Sequence, residues 1–354
     1  MIVNINNYHP INILTDRGIV ELKDILPGDK VFEYKTGNLL KVIGISEPSR
    51  SLINKITYSD RRVEYIRSCD DLYTGKDIIP MLIVPKNQEF HDIKQYPVKF
   101  DHAVHNTLDP NPYIAGMFLM YGDYHDRFIN LPSNMTGFNN INGFRYAVNN
   151  NLTPIKYNDK VYFKYADNSK NLRITWKQFF KDIDIYATTK DVREGTIPDE
   201  YVMTSAKDRI QFVKGIFDIG YAPNLFDDKV VGIVNKSNRK LKALQELLWS
   251  LGILSKIEYE PAIDAEHESM YKLSIIGDYD GYPGFTNMLS SIEELIDRDN
   301  KIITFTPPFK TKIANISQID CKGNYSTSGI MGNLILEKPK ALYLTSNFVP
   351  RVSV

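Results

Sequence analysis

The side chains best placed to do chemistry are two aspartates. Asp123 and Asp218 stand at the ends of two apolar runs, Pro112-Tyr113-Ile114-Ala115-Gly116-Met117-Phe118-Leu119-Met120-Tyr121-Gly122 and Gln211-Phe212-Val213-Lys214-Gly215-Ile216-Phe217-Asp218-Ile219-Gly220. Two carboxylates delivered by neighbouring helix ends could share a hard cation such as Mg²⁺, which would activate a water and stabilise a leaving oxygen. The plainer reading makes Asp123 a turn residue at a helix end and Asp218 a hydrogen-bonded packing residue. His102 and His105 are three residues apart but have no second ligand pair within metal-site spacing, so they are expected on a loop or at the surface. Cys69 and Cys321 are the two cysteines. They are far apart and lack a CxxC or CxxH partner, so free thiols in a reducing compartment are expected.

The elements that would carry the aspartates can be read from the same runs. A glycine inside a helix costs about 1 kcal/mol relative to alanine, so Gly116, with the small Ala115 beside it, and Gly215 need a compensating reason. Close approach of two helix backbones supplies it. A further helix is expected over residues 238–251, where Leu241, Leu244, Leu248 and Leu251 recur at helical spacing, Ser237 can cap the start and Gly252 the end. Residues 1 to about 105 alternate short β-branched and aromatic runs with turn signals, among them Asp16-Arg17-Gly18 and Pro27-Gly28, as an all-β module does. Strands are also expected at 161–165, 231–234, 302–305, 334–337 and 341–350. Trp176 with Phe179 and Phe180 is expected in the core rather than as a platform for stacked bases.

With 354 residues the chain is long enough for two or three domains. Its 43 basic and 43 acidic residues balance, which gives no overall electrostatic case for nucleic acid or an anionic membrane as partner. Residues 112–300 carry 22 Lys and Arg against 26 Asp and Glu, the opposite of what a duplex binder neutralising several phosphates needs. No apolar run reaches the ~18 residues of a membrane span, and the N-terminus lacks the basic-then-apolar layout of a signal peptide. No membrane partner is expected.

The paired runs resemble the two LAGLIDADG motifs of the homing endonucleases, in which two such helices pack side by side. The flanking segments resemble the Hint fold of inteins. Leu14-Thr15-Asp16-Arg17-Gly18, Pro27-Gly28-Asp29-Lys30-Val31 and Val63 to Tyr73 carry that second resemblance, and Tyr343-Leu344-Thr345-Ser346-Asn347-Phe348-Val349 resembles the closing block of phage-type inteins. Together they imply an α+β chain. A split all-β Hint-like domain (1–105 and 301–354) would hold an inserted two-repeat αββαββα domain of LAGLIDADG type (106–300).

The resemblance also says where chemistry should be, and those positions are changed. Tyr121 stands where the first metal-binding acid belongs, and in the second run Asp218 is followed by Ile219-Gly220, so the second acid is either replaced by Gly220 or deleted. Block B of an intein reads Thr-x-x-His, and here it is Ser68-Cys69-Asp70-Asp71, with Asp71 on the histidine. The first nucleophile would fall near Asn6, and no Cys or Ser occurs between Met1 and Tyr8. At the other end Val352 falls on the penultimate histidine and Ser353 on the asparagine that cyclises, with Val354 on the following nucleophile. Val104-His105-Asn106-Thr107 is similar to an intein's splice end, but it precedes the endonuclease-like segment, and coincidence explains it.

The glycines, turns and apolar runs meanwhile persist, although core lesions commonly cost ~2 to 5 kcal/mol against a total stability of ~5 to 15. The expectation is therefore a catalytically silent relative with no cofactor. It would serve as a structural or adaptor protein with protein partners in a larger assembly, in the cytoplasm of an infected or host cell or within a phage virion. Two alternatives remain: a DNA-binding protein that does not cleave, and an endonuclease in which a shifted register lets Asp123 and Asp218 share Mg²⁺. The second requires a side chain two residues beyond Tyr121 to reach a site that tolerates errors of about 0.5 Å.

Overall fold

The computed structural model describes residues 12–46, 49–50, 52–85, 88–96, 98, 100, 108, 112–113, 115–116, 123–125, 128–130, 152–157, 160–165, 197, 199–220, 230–262, 269–277, 285, 287, 289–290, 310–318 and 330–354. They form a mixed α+β structure in two compact units. The first comprises residues 1–99, 252–254 and 304–354, and the second residues 100–251 and 255–303.

The first unit is built from short antiparallel strands. A hairpin, β1 (Asn12–Thr15) and β2 (Gly18–Glu21), opens it. Its turn is fixed by Gly18 at φ 111° and by the Thr15 hydroxyl, which donates to the Gly18 carbonyl at 2.7 Å. The chain continues through β3 (Lys30–Phe32), β4 (Leu39–Ile45), β5 (Ser49–Arg50), β6 (Ile53–Tyr58), β7 (Val63–Arg67), β8 (Asp71–Tyr73), β9 (Ile78–Pro80) and β10 (Ile93–Lys94). The Pro27-Gly28 turn feeds β3, as its residue types require. Gly28 adopts φ 103°, and its amide donates to the Val42 carbonyl at 2.8 Å.

The second unit begins with Tyr113, Ala115 and Gly116 in helical backbone. There follow β11 (Asp123–His125), β12 (Phe128–Asn130), β13 (Leu152–Tyr157) and β14 (Lys160–Tyr165), which form one sheet in the order β11-β12-β14-β13. Next come α1 (Asp199–Val202), α2 (Ala206–Gly220), β15 (Gly232–Asn235), α3 (Asn238–Ser250), β16 (Ser255–Glu260) and β17 (Met270–Ile275). The last three strands pair in the order β15-β17-β16. The amphipathic stripe places Leu241, Leu244, Leu247 and Leu248 in the core. Ser237 caps α3 by accepting from the Lys240 amide, and Gly252 follows its end at φ 74°.

The chain then returns to the first unit through β18 (Lys310–Thr311), β19 (Ile313–Gln318), β20 (Ile330–Met331), β21 (Leu334–Leu336), β22 (Leu342–Leu344) and β23 (Pro350–Val352). These late strands pair with early ones: β18 with β10, β19 with β6, β20 with β5 and β21 with β4. The main sheet therefore reads β2-β1-β3-β4-β21. One core, including Ile13, Val31, Val42, Leu334, Leu336 and Tyr343, draws on both ends of the chain.

The run 341–350 differs from its expected single strand. It folds back as the β22–β23 hairpin, with Leu342 opposite Val352. The turn needs a left-handed residue, and Phe348 supplies it at φ 54°. A bulky residue in that region is strained, so side-chain ties must hold it there. The expected strand at 302–305, and His102, His105, Tyr121, Trp176 and Cys321, lie outside the described residues.

Candidate functional site: a saturated charge cluster and a close helix contact

β7 alternates charge with bulk: Arg62 just precedes it, Glu64 and Arg67 lie within it, and Asp70 ends the turn that follows. The Asp70 side chain is only 2% exposed. Arg67 donates to it from Nη2 at 2.6 Å and from Nε at 3.1–3.2 Å, while Arg351, from β23, donates from Nη2 at 3.3 Å. The Asn333 amide lies 3.4 Å from the same carboxylate and donates to the Val352 carbonyl at 3.0 Å. Asn333 is itself oriented by the Tyr343 hydroxyl, which donates to its Oδ1 at 2.9 Å. Both oxygens of Asp70 are engaged, so the carboxylate has no free lone pair to offer a substrate.

The terminal residues are held by the same arrangement. Arg351 also donates to the Tyr65 carbonyl at 3.2 Å, and the Ser353 hydroxyl oxygen accepts from the Ala341 amide at 3.0 Å. The amide of Val354 donates to the Leu334 carbonyl at 3.0 Å. Val352 is buried, as is Ser353. Among the described residues the partner of the Ser353 hydroxyl is the Ala341 backbone amide rather than an imidazole or amine. Asp71, on β8, is half-buried and pairs with the Lys340 ammonium at 3.2 Å. Cys69 is exposed.

A second ion pair clamps the hairpin turn. Asp60 and Arg62, with side chains 2% and 1% exposed, meet at 2.6 Å. Arg62 also donates to the carbonyls of Asn347 and Phe348 at 2.8 and 3.2 Å. Glu64 accepts from the Thr345 hydroxyl at 2.8 Å and from the Asn347 amide at 2.9 Å. Burial pushes the Glu64 carboxyl above its usual range, against the opposing pull of these bonds and of Arg351 and Arg62. These contacts hold Phe348 in its strained conformation.

In the second unit the small residues of the first run do what their size allows. Ala115 is fully buried. A Cβ on Gly116 would lie 2.1 Å from the Phe212 carbonyl oxygen and 3.3 Å from Ile216 Cγ1, so the backbone there comes within contact distance of α2. Gly215 lies on α2 between these two contact residues. The start of α2 is fixed by Ser205 and Thr204, whose hydroxyls donate to Asp208 at 2.7 and 3.0 Å, while the Asp208 amide donates to Ser205 Oγ at 3.1 Å. Arg209, fully buried, donates to the Ser250 carbonyl and hydroxyl at the end of α3 and lies 4.7 Å over the Phe100 ring. Burial draws its pKa down to about 9, which leaves it a cation at neutral pH.

The backbone places Asp123 at the start of β11 and Asp218 and Gly220 in the last turn of α2, and their side chains lie outside the description. Among the described residues no three His, Cys, Asp or Glu side chains gather as a metal site would need. Sequence reading passed over Arg62, Glu64, Arg67, Asn333 and Arg351. The detectable signal was four charges placed in and just ahead of a run otherwise built for a half-buried strand, Arg-Arg-Val-Glu-Tyr-Ile-Arg. No helix among the described residues is long and apolar enough to cross a membrane. Comparison with protein-family models and with curated proteins gives no match to the chain.

Proposed function

We propose that this chain is a catalytically silent relative of an intein bearing a LAGLIDADG endonuclease, serving as a structural or adaptor protein within a larger assembly such as a phage particle. The observation that carries the reading is the Asp70 cluster. At the place where the Ser68–Asp71 turn meets the terminal strand, an intein would need a free nucleophile and a proton donor. Here Asp70 is bound by Arg67 and by Arg351 of β23, and Asp71 is paired with Lys340. Two further features support the family likeness: a first unit whose early and late strands interleave around an inserted segment, and a glycine that lets two stretches of helical backbone touch at Phe212.

The partner class follows from charge. The excess of acid in residues 112–300 disfavours a phosphate-lined partner, so protein surfaces are the expected contacts. Purified full-length protein with Mg²⁺ is expected to leave supercoiled and linear DNA uncut, and its intact mass should stay constant over days at neutral pH. Cleavage abolished by Asp218→Ala would replace this reading with a shifted-register nuclease. Nanomolar, sequence-selective binding to duplex DNA at physiological salt would replace it with a DNA-binding factor.

A further inference from the structure

Between β7, β8 and β23 the first unit contains a narrow crevice of about 20 Å³. A cavity of about 10–15 Å³ suffices for one water, provided that two to four polar groups face it. Three groups with hydrogen-bonding capacity stand on the crevice wall. The Arg351 side chain is 5% exposed, and its Nε–H, unlike its two terminal nitrogens, finds no acceptor among the described residues. Tyr58, a residue 4% exposed, brings its hydroxyl-bearing ring to the same wall. Glu64 takes both of its bonds, from Thr345 and Asn347, on Oε1. Its Oε2 is left to the crevice.

An unpaired N–H inside a folded domain carries the desolvation penalty of the donor, so a resident partner is needed. Its chemistry follows from the wall. Arg351 Nε–H and Tyr58 O–H donate and Glu64 Oε2 accepts, so the occupant must both accept and donate. It must also be uncharged. The crevice brings two carboxylates, Glu64 and Asp71, against one guanidinium already engaged with Asp70. An anion would be repelled, and a cation would meet the Arg351 guanidinium. We infer that the crevice is a site for a small neutral donor–acceptor group: a water in the free protein, exchangeable for the carboxamide of a ligand or partner side chain. Ile56, Ile66 and Val349 complete its walls. The inference does not depend on the family reading.

The test uses the full chain, isotope-labelled at arginine, with formamide as the neutral probe and sodium formate as its charged isostere. The Arg351 Nε–H resonance is identified by its loss in Arg351→Lys. It should show a cross-relaxation peak with water, and formamide should move it saturably while formate at equal concentration does not. Tyr58→Phe should weaken formamide about five- to tenfold, the loss of one hydrogen bond. A water contact without any response to formamide also supports the site, with water as its resident. Absence of both the water contact and the formamide response overturns the inference, as does tighter binding of formate. So does an unchanged formamide affinity in Tyr58→Phe when its spectrum remains that of a folded protein.

Discussion

Replacing Asp70 by asparagine tests whether the charge cluster is the clamp that fixes the terminal strand. The substitution keeps the shape of the side chain and removes its charge. Two guanidinium groups, on Arg67 and Arg351, each with side chains 5% exposed, then lose their shared counter-ion. The 2.6 Å contact with Arg67 Nη2 and the 3.3 Å contact with Arg351 become N–H facing N–H for at least one oxygen position. Breaking a buried pair from one side costs about 3–5 kcal/mol, because the uncompensated charge stays behind. That is a large share of the ~5–15 kcal/mol by which a domain is stable. With a urea m-value of about 1–3 kcal/mol/M, the unfolding midpoint of the first unit should fall by about 1 M or more. Two probes separate the units. Both tryptophans, Trp176 and Trp249, belong to the second, so their fluorescence follows that unit, while tyrosine near-ultraviolet dichroism also follows the first. The dichroism transition should move and the fluorescence transition should move less. A triple replacement of Asp70, Arg67 and Arg351 by apolar residues of similar volume should recover much of the loss, since no charge is then stranded. A loss below about 1 kcal/mol in Asp70→Asn would refute the clamp and leave β23 held by its backbone bonds alone.

Three other outcomes follow from the same contacts. Gly116→Ala places a methyl 2.1 Å from a backbone oxygen, which forces the two helical segments apart, and should cost about 1–3 kcal/mol in the tryptophan-monitored transition. Glu64 has a folded pKa raised above its unfolded value, so the native state binds more protons between the two. Its contribution is complete below the unfolded value near 4.5 and is lost as pH rises through the folded one. Glu64→Gln should flatten that slope in a denaturation series from pH 4 to 8, with Arg62, Arg351 and Tyr58 facing the group in both variants. Asp29 and Glu33 carry the opposite sign. Hydrogen bonds from Arg17 and the Leu26 amide hold Asp29 down, those from Lys338 and Thr36 hold Glu33 down, and both outweigh burial. Acidification through their lowered pKa values should therefore remove stability, measurable as a fall in midpoint lost in Asp29→Asn and Glu33→Gln.

Local rules made much of the framework legible. A two-residue turn before Gly18, a Pro-Gly step before β3, a serine ahead of a leucine stripe and a glycine behind it are decided within a few residues, so the hairpin, the strand and α3 could be read in order. At Gly116 the backbone lies within contact distance of Phe212, a proximity that offsets the cost of a helical glycine. What the chain order could not disclose is which distant charges meet. Asp70 and Arg351 are brought together by the pairing of late strands with early ones, a topology that no local pattern encodes. The hairpin at 341–352 was misread as one strand for the same reason. Its left-handed Phe348 is unfavourable alone and persists only because Arg62 and Glu64, nearly three hundred residues earlier, bind the turn. Sequence by itself determined the turns, caps and apolar stripes from which the local elements follow. Tertiary structure alone decided that the remaining charges saturate one another, since that depends on burial and on distances set by strands far apart in the chain.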